Sequence, residues 1–326
     1  MKRTFAVITL ALVALGTMSL ISGQAQEAGA PSMPPTNSAA ANPLRIALLR
    51  WYQANTTTRF KVGSQPYGVA FDGANIWTAN YGDASVTKVR ASDGNVLGTF
   101  RVGTGPYGVT YDGANMWVSN QGDGTITKLR GSDGKSLGTF SVGSVPGWMA
   151  FDGSDIWVPV GGNNTVAKVR ASDGKVLGTF PVGVGPLAAA FDGDSVWVSN
   201  DDAKTVNKVR ASDGKILGTF AVGSNPAGIA FDGTNIWVAN RSGGTISKLR
   251  ASDGKLLGNF NSNTGAYGLA FDGKNIWIAG DPDVVEMRAS DGATLGIWHV
   301  NGSIGIAFDG ANVWTTALSD NSAHKF

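Results

Sequence analysis

The tripeptide Phe-Asp-Gly, once with Tyr in first place, returns seven times along this chain, starting at Phe71, Tyr111, Phe151, Phe191, Phe231, Phe271 and Phe308. The first five intervals are 40 residues and the last is 37. A tryptophan follows six residues after each start: Trp77, Trp117, Trp157, Trp197, Trp237, Trp277 and Trp314. Between the copies lies a second marker, Ser-Asp-Gly, beginning at Ser92, Ser132, Ser172, Ser212, Ser252 and Ser290. A period of this length marks a repeat architecture, in which each unit buries its apolar face only by packing on its neighbours.

Each period divides into four short stretches rich in Val, Ile, Thr and aromatic residues, separated by Asp-Gly turns suited to hairpins. In the first copy they are 67–72, 75–80, 85–90 and 95–102. The 46 glycines of the 326-residue chain fit many tight turns, and no stretch keeps helical spacing over three turns. Four antiparallel strands per ~40 residues is the pattern of one propeller blade. The expected fold is therefore all-β, a seven-bladed β-propeller over 56–326. The seventh copy holds only three strands, the last at 321–326, while 58–63 (TRFKVG) resembles the fourth-strand segment 98–103 (GTFRVG). The N-terminal strand should thus complete the last blade and close the ring, which removes the exposed edges of an open array.

The segment ahead of the repeats reads differently. Lys2 and Arg3 precede an apolar run from Phe5 to Ile21, with small residues at Gly23 and Ala25, the pattern of a signal peptide over 1–25. Ala30 offers a second cleavage point, and an uncleaved anchor is the alternative, since the run nears the ~20 residues that span a bilayer. Residues 26–42 are rich in Pro, Ala and Ser and read as a disordered tether, and 43–55 as a short helix opening at Pro43. The expected location is secreted or periplasmic, with no membrane span after signal removal. The 26 basic and 24 acidic residues balance once Lys2 and Arg3 are set aside, so no net charge draws the chain to nucleic acid or anionic lipid. Cysteine is absent, which excludes disulfides and thiolate metal sites.

The strings around Pro66–Asn80 and Lys88–Phe100 resemble the repeats of the bacterial YVTN/NHL-type propellers, a set with YncE-like and streptogramin-lyase-like members. The resemblance covers roughly 58–326 and implies the propeller fold; on function it is open, because such rings host enzymes and binders alike. The lyase-like members imply a His/Glu cluster with a magnesium ion in a cleft. Here the candidates are His299, His324 and Glu286, with no evident pairing, so that activity stands as the alternative reading. Binding of single-stranded nucleic acid, implied by the YncE-like members, is a further alternative that the near-zero charge disfavours. The match Gly134-Lys135-Ser136-Leu137-Gly138 lacks the strand-to-helix turn of a nucleophile elbow, because Ser136 opens a fourth strand. No catalytic or metal-binding residue and no cofactor is assigned; magnesium or calcium would have only the evenly spread turn aspartates.

The repeated residues themselves read as structure: tryptophans packed between blades, Asp-Gly pairs shaping turns. The pairs from Lys88/Arg90 to Lys248/Arg250 read as a solvated face balanced by the Ser-Asp-Gly aspartates, the alternative being a basic rim for polyanions. What varies between copies collects on one face, at the channel mouth, where interblade connections and second-to-third strand loops meet. The connections end in Tyr67, Tyr107, Trp148, Leu187, Ala227 and Tyr267, and the loops carry Tyr81, Gln121, Asn163, Asp201 and Arg241. From these, Tyr67, Tyr81, Tyr107, Trp148, Arg241 and Tyr267 form a candidate ligand-binding set for a cell-envelope glycan, peptide or protein. The expected function is that of a non-enzymatic binding module.

Overall fold

The computed structural model describes residues 58–326; the expected signal peptide, tether and helix lie outside the described residues. Every sheet has four strands, and there are seven sheets. The first blade comprises β2 (Pro66–Phe71), β3 (Asn75–Asn80), β4 (Ser85–Arg90) and β5 (Val96–Arg101), antiparallel and in sequence order from the channel outward. Five further blades repeat this meander. In the last sheet the order is Ser303–Phe308, Val313–Ala317, Ser322–Lys325 and then β1 (Arg59–Lys61), paired as Arg59↔His324, Phe60↔Ala323 and Lys61↔Ser322. The architecture is a closed all-β seven-bladed propeller. Among the described residues no helix is long and apolar enough to cross a membrane.

The spacing of the first marker has a local cause. In every blade the turn aspartate accepts a hydrogen bond from the indole Nε1 of the tryptophan five residues on, from Asp72–Trp77 to Asp309–Trp314, at 2.7–2.8 Å. Its other oxygen accepts the amides two and three residues ahead, as Asp112 does from Ala114 and Asn115. The glycine that follows takes positive φ, 96° at Gly73 and 93° at Gly113. The tryptophans are buried between blades, six of them fully, so they form the repeating core.

The second marker receives the neighbouring blade. Phe100 of the first blade lies against Gly134 of the second, leaving no room for a Cβ there, and the same holds for Phe140 on Gly174 through Phe260 on Gly292. Phe60 of β1 lies in the same way against Gly94 and packs on Trp314 at 5.2 Å. The closing strand thus supplies its seam with the same residue type that five other blades carry on their fourth strands, the sixth carrying Trp298 instead.

The lysines depart from the expectation of a solvated face. The pairing Trp77↔Lys88 places each lysine beside the interblade tryptophan. Lys88, Lys128, Lys168, Lys208 and Lys248 set their ammonium groups 4.7–5.4 Å from the ring centroids. Each donates to a backbone carbonyl of the next blade, from Gly131 to Ala289, at 2.6–2.7 Å. They fasten blades together, with the stems buried along the seam. The arginines do lie at the surface, paired with the Ser-Asp-Gly aspartates at 2.8–3.2 Å.

Candidate functional site at the channel mouth

The loops after each second strand are tied to the preceding interblade connection, as in Tyr81 N–H to Gln65 O at 2.9 Å and Arg241 N–H to Asn225 O at 3.0 Å. Both sets of variable residues therefore share one face. Inner strands crowd together below it: a Cβ at Gly68, Gly228, Gly268 or Gly305 would strike the carbonyl of Tyr107, Tyr267, Ile304 or Tyr67 on the adjacent blade. Inside the ring is a cavity of ≈ 170 Å³. Apolar residues from every blade line it, among them Val69, Val109, Met149, Ile229, Leu269 and Ile306, with Trp148 at its border.

The six residues singled out in the sequence fall into two contact groups on this face, an aromatic run of four and the Arg241–Tyr267 pair. Tyr81 packs on Tyr67 at 5.2 Å, Tyr67 on Tyr107 at 5.1 Å, and Tyr107 stacks on Trp148 at 5.1 Å with planes 24° apart. Arg241 lies over Tyr267 at 5.4 Å and pairs with Asp201 at 3.0 Å. Burial pushes the Tyr107 hydroxyl above the usual phenol range; Tyr67 adds to this, while Arg241 pulls the other way. Burial likewise raises Tyr67, with Tyr81 and Tyr267 adding to it. These two phenols stay neutral, and the charges of Arg241 and Asp201 are paired.

Five polar atoms of this face are buried without a hydrogen-bond partner: the Trp148 indole Nε1, the Asp201 Oδ1 and, at the ends of second strands, the Oδ1 of Asn120, Asn200 and Asn240. A buried donor and a buried acceptor left open cost free energy unless something meets them. The third blade is also where the repeat breaks. Its Pro-Gly-Trp order replaces Pro-Tyr-Gly, and its inner strand shrinks to Ala150–Phe151. Trp148 leaves its own sheet, donating its amide to Leu187 O and accepting from Ala189 N–H, both at 2.9 Å. Gly147 has no space for a side chain beside Leu187. Just upstream, Val145 is held at φ 60°, the left-handed conformation that Gln65, Gly105, Gly185 and Asn225 take at the same turn position and that a β-branched residue rarely adopts. Asp201 was absent from the candidate set, visible only as one loop acid among several.

No protein-family model matches the chain, and no curated protein matches it in sequence. Among solved structures, the Kuenenia stuttgartiensis hydrazine synthase superposes with a TM-score of 0.74 at 16% identity, covering 82% of this chain and 96% of that one. A streptogramin B lyase structure does so with a TM-score of 0.71 at 18% identity, again over 82% and 96%. The chain is a β-propeller repeat protein. At such low identities the likeness is one of fold.

The propeller keeps its titratable candidates for catalysis apart. His299 is exposed at the sixth blade's outer strand, 3.1 Å from Asp283. His324, in the seventh blade, contacts Asp320 at 3.2 Å, and Arg59 holds the same carboxylate at 2.5 Å. Glu286 accepts from Asn275 Nδ2 at 2.7 Å. Among the described residues no group of three or more His, Asp or Glu could hold a metal ion. Ser136 opens the strand Ser136–Ser141, far from any turn into a helix.

Proposed function

We propose that this propeller is an exported binding module whose channel mouth takes an uncharged, ring-bearing polar ligand, a neutral saccharide of the cell envelope being the chemistry that fits. The observation that carries the reading is the aromatic run Tyr81–Tyr67–Tyr107–Trp148 beside an unmet buried donor, Trp148 Nε1, and an unmet buried acceptor, Asp201 Oδ1. Sugar rings present apolar C–H faces to aromatic planes and hydroxyls that both donate and accept, so one ligand answers both needs. The Arg241–Asp201 pair leaves no unpaired cation beside the Tyr267 ring to hold a polyanion. The leader at 1–25 supports a secreted or periplasmic setting.

Titration calorimetry with neutral mono- and disaccharides tests this on the mature protein. Trp148→Phe keeps a ring but removes the indole donor, and should weaken binding about tenfold, the cost of one unmet hydrogen bond. Tyr81→Ala, at an exposed position, should weaken it without unfolding the ring. Affinity should barely change with salt. A steep salt slope would point instead to a single-stranded nucleic acid stacked on the same rings. Absence of saccharide binding, or equal affinity in both variants, would overturn the reading.

A further inference from the structure

Six of the seven interblade tryptophans carry a lysine ammonium on the ring: Lys88, Lys128, Lys168, Lys208 and Lys248 at 4.7–5.4 Å, and Lys325 at 5.6 Å from Trp314. The seventh, Trp277, is paired in register with Glu286 instead. The charge at that position is thus reversed. The turn aspartate and the tryptophan ring are kept, whereas the Ser-Asp-Gly carbonyl that receives the ammonium elsewhere has no counterpart among the described residues of the seventh blade. Trp277 still donates to Asp272 at 2.8 Å, and Asp272 stands where Asp72 and Asp192 lie 3.8 Å from Lys88 and Lys208. Trp277 is also 9% exposed, whereas the other six are fully buried, so its ring alone reaches the solvent at the seam's edge.

The neighbouring amide has been redirected. In four blades the asparagine at this position turns its Nδ2 to the turn aspartate, as Asn75 does to Asp72 and Asn312 to Asp309. Asn275 turns its Nδ2 to Glu286, and its Oδ1 is buried with no partner, on a residue only 7% exposed. Two carboxylates, an unmet amide oxygen and an aromatic ring that stacks on Trp298 at 5.0 Å but carries no cation thus lie along one seam.

We infer that the seam between the sixth and seventh blades is a seat for a primary ammonium group, held by Glu286, Asp272 and Asn275 Oδ1 against the Trp277 ring. The three oxygens with a π-face suit an alkylammonium better than calcium or magnesium, which take six or more oxygens in a closed shell. The ligand is a free alkylamine or the side chain of a lysine on another protein, and the two share this chemistry.

The test follows the Trp277 indole N–H resonance, assigned by Trp277→Phe, in the full chain titrated with n-butylammonium. A second arm uses a short peptide bearing one lysine. A saturable shift is expected in the parent, about tenfold weaker in Glu286→Gln, where the ion pair is lost. It should vanish in Glu286→Lys, which supplies its own ammonium and should raise the melting temperature by returning a cation to Asp272 and the Trp277 ring. Tighter binding of the peptide than of the amine would identify a protein ligand; the reverse, a free amine. No saturable shift, or an unchanged one in Glu286→Lys, would overturn the assignment. The channel mouth is untouched by these variants, so saccharide binding stands or falls separately.

Discussion

At the scale of single residues, the turn aspartates explain more of this molecule than any other side chain. Each joins a turn to the tryptophan that fills the seam, so one carboxylate ties local geometry to interblade packing. Burial alone would raise their pKa values. Hydrogen bonds from the tryptophan indole and two backbone amides outweigh it, joined by an asparagine side chain at Asp72, Asp112, Asp232 and Asp309 and by the Ser154 hydroxyl at Asp152. They hold Asp72, Asp112, Asp152, Asp232, Asp272 and Asp309 below the usual carboxylate range. A folded-state value below the unfolded one stabilises the fold above the unfolded value, ~3.9, and the benefit is lost as pH falls through it toward the folded value. Six such sites make the loss steep. The melting temperature should stay nearly level from pH 7 to 5 and fall sharply below about pH 4. Asp112→Asn should lower it at pH 7 and flatten the acid limb; an acid limb as steep as the parent's would count against the carboxylate as its source.

At the scale of elements, adjacent blades are fastened twice at the Ser-Asp-Gly turn of the following blade. The fourth-strand phenylalanine lies on the next blade's Ser-Asp-Gly glycine, and the third-strand lysine reaches the next blade's carbonyl. Lys128→Met keeps much of the packed stem but leaves Ala171 O without its donor at 2.6 Å and empties the Trp117 face. Loss of that bond and of a desolvated cation–π contact should cost about 2 kcal/mol by chemical denaturation. A change within ~0.5 kcal/mol, ordinary for a surface substitution, would refute the fastening role. The strands themselves were legible: β3 and β4 coincide with the expected segments 75–80 and 85–90, since alternation and turn residues fix both ends. The lysine's place was not. Period-two alternation says which residues share a face of a sheet, but not that this face is closed by another blade.

At the scale of the whole molecule, closure makes every blade depend on its neighbours, and β1 is a very short element with a large share of that burden. Deleting 58–62 removes the fourth strand of the last blade, strips Phe60 from Gly94 and Trp314, and exposes a sheet edge. The truncated protein should melt well below the parent in calorimetry, and an unchanged transition would refute closure by this strand. What the sequence by itself determined is whatever the repeat spells out: seven copies, four strands in each, the strand missing from the last copy and its counterpart upstream. These follow from local rules, because turn chemistry and hydrophobic alternation act over a few residues. It also placed the variable positions on one face, since an up-and-down meander admits only that arrangement. Only the tertiary structure decided that Tyr67, Tyr107 and Trp148 stack in a row, that Asp201 and Arg241 cancel, and that Trp148 crosses to the next blade. It alone revealed that Glu286 faces a tryptophan where six siblings hold a lysine ammonium. The physical reason is reach: the channel-mouth contacts join residues about 40 positions apart, which only the curvature of the closed ring brings together. Glu286, by contrast, meets Trp277 within one hairpin and takes its meaning from the six tryptophans that carry a lysine on the other blades.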